Sequence, residues 1–176
     1  MIQRILCPTD LTADSKDGVT CAFLLARRNG AQLIVFHATS FPSLWQYPCE
    51  LDSYYEWEQL VSMFKIDRLV AEAESKVRGF ICENFPVDSD GVAWKPKIGL
   101  GRVAEEIVAA TFQEDVDLIV MDRRQRGLLA RVFTRGILET VSRNAPCPVL
   151  SIDATKPTHL YGGWRMPILE EIAHTH

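Results

Sequence analysis

Residues 117–151 read DLIVMDRRQRGLLARVFTRGILETVSRNAPCPVLS, and the order of residue types in this stretch decides the fold. It opens on Leu118-Ile119-Val120-Met121, apolar at every position. A strand covered on one face alternates apolar and polar residues, whereas an unbroken apolar run suits a strand buried on both faces. A polar, arginine-rich loop follows, and then a helical pattern over about residues 128–143. Ala145-Pro146-Cys147-Pro148 stops that helix and leads into a second strand around Val149-Leu150-Ser151-Ile152. Strand, loop, helix and strand form the unit from which parallel sheets are built, because parallel neighbours need a crossover, usually helical and right-handed.

The same alternation continues toward the N-terminus. Residues 2–7 form a short apolar strand closed by Pro8, and residues 10–14 are rich in helix-capping side chains. A helix then runs to about Asn29, with Val19, Ala22, Phe23 and Ala26 at helical spacing and Gly30 as its stop. Residues 32–37, QLIVFH, give the second strand. Helical periodicity over 56–84 passes through Leu60, Phe64, Leu69, Ala73, Val77, Phe80 and Ile81. Residues 91–98 give the third strand, and Pro96 places it near a sheet edge because proline cannot donate to a ladder. Residues 101–114 are a further helix. The fold class is therefore α/β: a single-domain three-layer sandwich with a five-stranded parallel sheet between helices. The domain is expected over 1–154, with a C-terminal extension over 155–176. That extension and the loop 41–55 stand outside the alternation. Both carry aromatic and aliphatic residues, Trp45, Tyr47, Tyr54 and Tyr55 in the loop and Tyr161 and Trp164 in the tail. The loop is expected to cover part of a cleft at the carboxyl ends of the strands, and the tail to pack on the protein.

Composition excludes several classes. A chain of 176 residues, 47% hydrophobic and 24% charged, can bury a core without staples. A net charge of −4 argues against a general nucleic-acid binder. No apolar run has the length of a membrane span, and the first residues do not read as a signal peptide. The five cysteines are widely and irregularly spaced, which suggests small buried hydrophobes in a reducing compartment rather than a disulfide framework. No cysteine or histidine cluster has metal-ligand spacing. Ser15, Ser142 and Ser151 lack a nucleophile elbow, Cys7 and Cys147 sit in or beside strands, and Glu105-Glu106 open a helix. No catalytic residue is expected.

Several segments resemble the universal stress protein family: Arg4-Ile5-Leu6-Cys7-Pro8-Thr9-Asp10, residues 24–33, Phe36-His37-Ala38, Gly101-Arg102-Val103-Ala104-Glu105-Glu106-Ile107 and the C-terminal stretch quoted above. The resemblance covers most of residues 2–153. It implies a Rossmann-like sheet of the adenine-nucleotide alpha-hydrolase type, a cytoplasmic protein, and a homodimer paired through the last strand. An apolar edge at residues 149–152 would itself invite another chain. It also implies that Asp10, Ala38 and Met121 lie where nucleotide-binding members hold adenosine and begin to hold phosphate. In those members the loop carries G-x-x-G-x9-G-[ST]. Aligned on Ala145-Pro146-Cys147-Pro148, this chain has Asp122, Gln125 and Arg135 in place of the three glycines and Gly136 in place of the Ser or Thr. Glycine lets backbone N–H groups converge on a phosphate, and an aspartate there adds bulk and a like charge. A shifted loop using Gly127 and Gly136 has spacing x8 and no following Ser or Thr.

Two readings of function follow. The first is a non-catalytic, dimeric stress-response or regulatory module that has lost ATP binding and carries no cofactor. The alternative is an ATP- or AMP-binding switch with weak ATP hydrolysis, held through Asp10, Ala38, Met121, Gly127 and Gly136. Asp10 also has a structural reading, as a helix N-cap at a strand–helix junction. Arg123, Arg124 and Arg126, with Arg131, Arg135 and Arg143 beyond them, could meet an anion or an acidic partner, or form a solvated basic face paired with local acids such as Asp122 and Glu139.

Overall fold

The computed structural model describes residues 2–39, 66–122, 130–152 and 159–161, with backbone only for 130–135 and 159–161. The expectations placed on the aromatic loop 41–55, on Gly127, on Arg123, Arg124 and Arg126, and on most of the tail lie outside the described residues.

Strand β1 (Arg4–Pro8) leads through a 3-10 turn (Ala13–Ser15) into helix α1 (Lys16–Asn29). Then come β2 (Gln32–Thr39), α2 (Ile66–Asn84), β3 (Trp94–Leu100) and α3 (Val103–Gln113). β4 (Leu118–Asp122), α4 (Ala130–Asn144), β5 (Val149–Ile152) and β6 (His159–Tyr161) complete the order. The sheet runs β3-β2-β1-β4-β5-β6. Its first five strands are parallel throughout, and only β6 is antiparallel, on β5. Pro96 does lie on an edge strand, in register with Val35 of β2. Gly30 ends α1 in the left-handed conformation at φ 62°, as its place after the apolar pattern suggests.

The unalternating strands divide their apolar residues between two cores. Ile5, Cys7, Leu33, Val35, Leu118, Val120, Leu150 and Ile152 face α1 and α2, meeting Val19, Phe23, Val77 and Ile81. Leu6, Ile34, Phe36, Ile119, Met121 and Val149 face the other way, onto Ile107 and Ala110 of α3 and Leu138 and Val141 of α4. Successive strand side chains point to opposite faces, so a run apolar at every position supplies both layers at once.

Two expectations change. The third strand begins later than residue 91 and ends later than 98, because Gly91 takes φ 70° in the preceding turn. The larger change concerns Val149–Ile152, expected at a sheet edge. β6, from the C-terminal extension, lies against it in the register Val149↔Tyr161, Leu150↔Leu160 and Ser151↔His159. Three residues of tail are too few to show a strand period, so the sequence pattern carries no sign of β6.

Candidate functional site

Strand order determines where a cleft forms. The chain steps from β1 outward to β2 and β3, then crosses back to place β4 on the other side of β1. Crossovers leaving in opposite directions open a crevice at the carboxyl ends of the strands, the usual ligand position in open α/β sheets. A cleft of about 160 Å³ lies there. Pro8, Thr9 and Asp10 line it from the end of β1, Phe36 and Ala38 from β2, and Met121 and Asp122 from β4. Ser15, Val103, Ile107 and Ile137 complete its lining.

The turn after β1 is built by its own side chains. Leu11 takes φ 62°, a left-handed conformation uncommon for a branched residue. The Leu11 N–H donates to Thr9 Oγ1 at 3.0 Å. The Ser15 hydroxyl donates to the Thr12 carbonyl at 3.0 Å. Since that uses the one hydroxyl proton of Ser15, the 2.7 Å contact between Thr9 Oγ1 and Ser15 Oγ has Thr9 as donor. The Thr9 backbone is tied as well: its N–H donates to the Phe36 carbonyl at 2.8 Å, and its carbonyl accepts from His37 Nδ1–H at 2.9 Å. Both hydroxyls are buried and bonded within the protein, so they shape the wall.

Asp10 is exposed. Its Oδ1 accepts from the Thr12 N–H at 3.0 Å and from the Thr12 hydroxyl at 2.7 Å. This is an Asx-type turn. The N-cap position of the 3-10 turn is held by Thr12 and that of α1 by Ser15, and neither side chain makes a capping hydrogen bond. Asp10 therefore organises the junction from two residues ahead rather than capping the helix itself.

At the end of β4, Asp122 Oδ2 accepts the N–H of Gly18 at 3.2 Å. Gly18 is the third residue of α1, in the turn whose N–H groups have no acceptor within the helix. The α1 N-terminus carries the positive end of the helix dipole, and a carboxylate of the protein's own already sits on it. The close approach depends on glycine: a Cβ at Gly18 would lie 3.1 Å from both the Asp122 backbone N and its Cβ.

A second glycine shapes the floor. A Cβ on Gly99 would come within 2.6 Å of Phe36 Cζ and 2.8 Å of Glu106 Cβ. Gly99 thus lets the Phe36 ring, buried beneath the cleft, lie between β3 and α3.

The candidate residues named from sequence separate into groups. Asp10, Ala38 and Met121 converge on one cleft, and Asp122 joins them. Gly136 lies inside α4, exposed, where an added Cβ would meet nothing within 4 Å, and it is absent from the lining. Arg143 is exposed and pairs with Glu139 at 2.8 Å one helical turn away, the local pairing expected of a solvated basic face. Phe36, Ile107 and Ile137 were legible only as core residues, since a side chain under a cleft and one in the core share the same pattern.

Three of the described thiols, those of Cys7, Cys21 and Cys147, are held in the protonated form. Burial pushes Cys7 well above the ordinary range, and the charges of Cys21 and Asp122 add to it. Burial raises Cys21 to about 11. Burial, with the Asp117 charge behind it, raises Cys147 to about 11. Among the described residues, no group of three or more His, Cys, Asp and Glu is placed to hold a metal ion, and no helix is long and apolar enough to cross a membrane.

Residues 1–152 match the sequence model of the universal stress protein family. A universal stress protein of Thermus aquaticus, named for the 3′ region of the QAH/OAS sulfhydrylase, is 29% identical over 153 residues, covering 86% of this chain and 99% of the relative. Among solved structures, the universal stress protein UspA from Lactobacillus plantarum superposes with a TM-score of 0.58 at 21% identity, covering 86% of this chain and 98% of that one. A universal stress protein solved in complex with cAMP gives a TM-score of 0.53 at 17% identity, covering 86% and 97%. At these identities the structural likeness establishes the Rossmann-like fold.

Proposed function

Since the chain belongs to the universal stress protein family, we propose that it is a non-catalytic regulatory member, acting in the cytoplasm, that has given up ATP binding through a glycine loop. The observation carrying this reading is Asp122. It stands where the resemblance expects the first phosphate-loop glycine, and its carboxylate accepts the Gly18 N–H at the α1 N-terminus. An incoming phosphate would meet a fixed negative charge where a binding loop offers free N–H donors. Gly136, the glycine of the shifted-loop alternative, is turned out on α4. The raised Cys7, Cys21 and Cys147 thiols support a non-catalytic reading of those residues.

The alternative, an adenine-nucleotide switch with weak hydrolysis, draws on the convergence of Asp10, Ala38 and Met121 at one cleft. It also draws on the cAMP held by a structural relative. Nucleotide extraction from the purified protein and calorimetric titration with ATP and magnesium separate the two. The expected result is no co-purified nucleotide and a dissociation constant weaker than the high-micromolar range. A low-micromolar constant refutes the first reading and favours the switch.

A further inference from the structure

The cleft at the carboxyl ends of the strands is apolar over most of its wall, with Phe36, Ile107 and Met121 deep in it, and its polar lining is Thr9, Asp10, Ser15 and Asp122. Two of these four side chains carry a proton, and both protons are used inside the protein. Thr9 donates to Ser15 Oγ at 2.7 Å, and Ser15 donates to the Thr12 carbonyl at 3.0 Å. The other two are carboxylates, which when ionised accept and do not donate. Asp122 Oδ2 already takes the Gly18 N–H. Asp10 uses Oδ1 for both the N–H and the hydroxyl of Thr12, while its Oδ2 has no hydrogen-bond partner among the described residues. The Asx turn thus fixes the Asp10 carboxylate through one oxygen and leaves the other for a ligand. The described side chains of this cleft offer acceptors and no donor.

We propose that this cleft takes a small primary amine with an apolar body, its ammonium group on Asp10 Oδ2 and its body against Phe36, Ile107 and Met121. That assignment rests on the reading that ATP binding has been lost, and it names what the same cleft accepts instead. A phosphate or a carboxylate brings acceptors, and the side chains here answer with acceptors. An ammonium group brings three donors and no acceptor, and its charge is opposite to that of both aspartates. An apolar body asks for none of the hydrogen bonds that this wall lacks. The single open oxygen also selects among cations. A guanidinium matches a carboxylate through two oxygens at once, whereas an ammonium is a compact point charge that one oxygen can hold.

The test uses the full-length protein and two probes of similar shape, phenethylamine and hydrocinnamate, the one cationic and the other anionic at neutral pH. Ligand-observed NMR and chemical-shift titration at low salt measure contact and affinity, and calorimetry with ATP and magnesium is run on the same protein. Phenethylamine is expected to bind about fivefold more tightly than hydrocinnamate, the upper range for one exposed ion pair, and the preference should shrink as salt is raised. Asp10→Asn keeps the Oδ1 acceptor and the Asx turn and puts an amide nitrogen in place of Oδ2, so it should erase the preference. Val103→Lys, at an exposed position on the cleft wall, should weaken phenethylamine by like charge without touching the turn, and it reads the site by itself should Asp10→Asn fail to fold. Hydrocinnamate binding as tightly as phenethylamine overturns the proposal. So does a preference that survives Asp10→Asn in a folded protein, or phenethylamine binding that Val103→Lys leaves unchanged. Failure of both phenethylamine and ATP to bind overturns the proposal and leaves the loss of ATP binding standing. A low-micromolar ATP constant overturns that reading, and the proposal with it.

Discussion

Replacing Asp122 separates two roles that one carboxylate performs. It accepts the Gly18 N–H at 3.2 Å in the first turn of α1, and it holds a negative charge beside the cleft it lines. Asp122→Asn keeps an acceptor and removes the charge. The charge–dipole part at a helix N-terminus is worth about 0.3–1 kcal/mol, so Asn is expected to cost about 0.5 kcal/mol. For a domain of this size, roughly 2–4 °C of Tm goes with each kcal/mol, giving a fall of about 1–2 °C. Asp122→Gly removes the acceptor as well, at about 0.5–2 kcal/mol for a lost cap, and adds backbone entropy of about 0.5–1 kcal/mol. A total of about 2 kcal/mol lowers Tm by roughly 4–8 °C. Nucleotide affinity should move the other way. A phosphate charge about 6 Å from a carboxylate is repelled by about 0.7 kcal/mol at the dielectric of water and about 2.8 kcal/mol at an effective value near 20. Removing the charge should therefore tighten ATP binding about threefold to a hundredfold, at about 1.4 kcal/mol per factor of ten. The gain should shrink as salt is raised. Calorimetric titration of wild type, Asn and Gly with ATP and magnesium, alongside thermal unfolding of each, measures both effects. If Asp122→Asn binds ATP no better than wild type, this carboxylate is not what keeps phosphate out. If Asp122→Gly melts with wild type, the contact with Gly18 contributes nothing to the fold.

Gly99→Ala should destabilise by about 1–3 kcal/mol, the usual cost of overpacking, because its Cβ would fall 2.6 Å from Phe36 Cζ and 2.8 Å from Glu106 Cβ; an unchanged denaturant midpoint would show that the Phe36 ring yields freely. The Glu114 carboxyl is held below its ordinary 4.5, first by its hydrogen bond to Lys95, against a smaller opposing effect of burial, and further by Lys97. Its folded value is depressed, so its contribution is present above pH 4.5 and is lost as pH falls through the folded value. Glu114→Gln should accordingly lower Tm at neutral pH, by an amount set by a part-exposed pair at about 0.2–1 kcal/mol, and the two melting curves should converge in acid; a gap that persists or widens there would contradict the assignment. Of the four described cysteines, Cys82 is exposed and Cys7 buried with its thiol pushed up by burial, so mass spectrometry after native thiol labelling should find Cys82 modified first and Cys7 only on unfolding. Equal labelling rates for the two would refute the burial of Cys7.

The reach of the sequence follows from the range over which each feature is encoded. Ile119 and Val120, or Ile5 and Leu6, announce a strand buried on both faces because adjacent residues carry that information, and the structure divides these pairs between the two cores. Gly30 and Pro96 were readable for the same reason: each acts through its own φ or its own missing N–H. The order of strand and helix, with the right-handed crossover rule, was enough for the α/β class. Asp122 shows the limit. In the sequence it is one residue at the end of an apolar run, where an aspartate stands in place of an expected glycine. Its partner Gly18 is 104 residues away, and only the packing of α1 beside β4 brings a helix N-terminus to its carboxylate. The cleft has the same origin, because Phe36, Ile107 and Met121 become lining rather than plain core only where strand order reverses at β1 and β4. β6 lies furthest from local encoding. His159-Leu160-Tyr161 has no period to read, and it is a strand because β5 offers an unpaired row of backbone N–H and C=O groups for it to satisfy. Strand and helix identity came from neighbours in the chain, whereas the capped helix, the cleft and the covered edge came from neighbours in space.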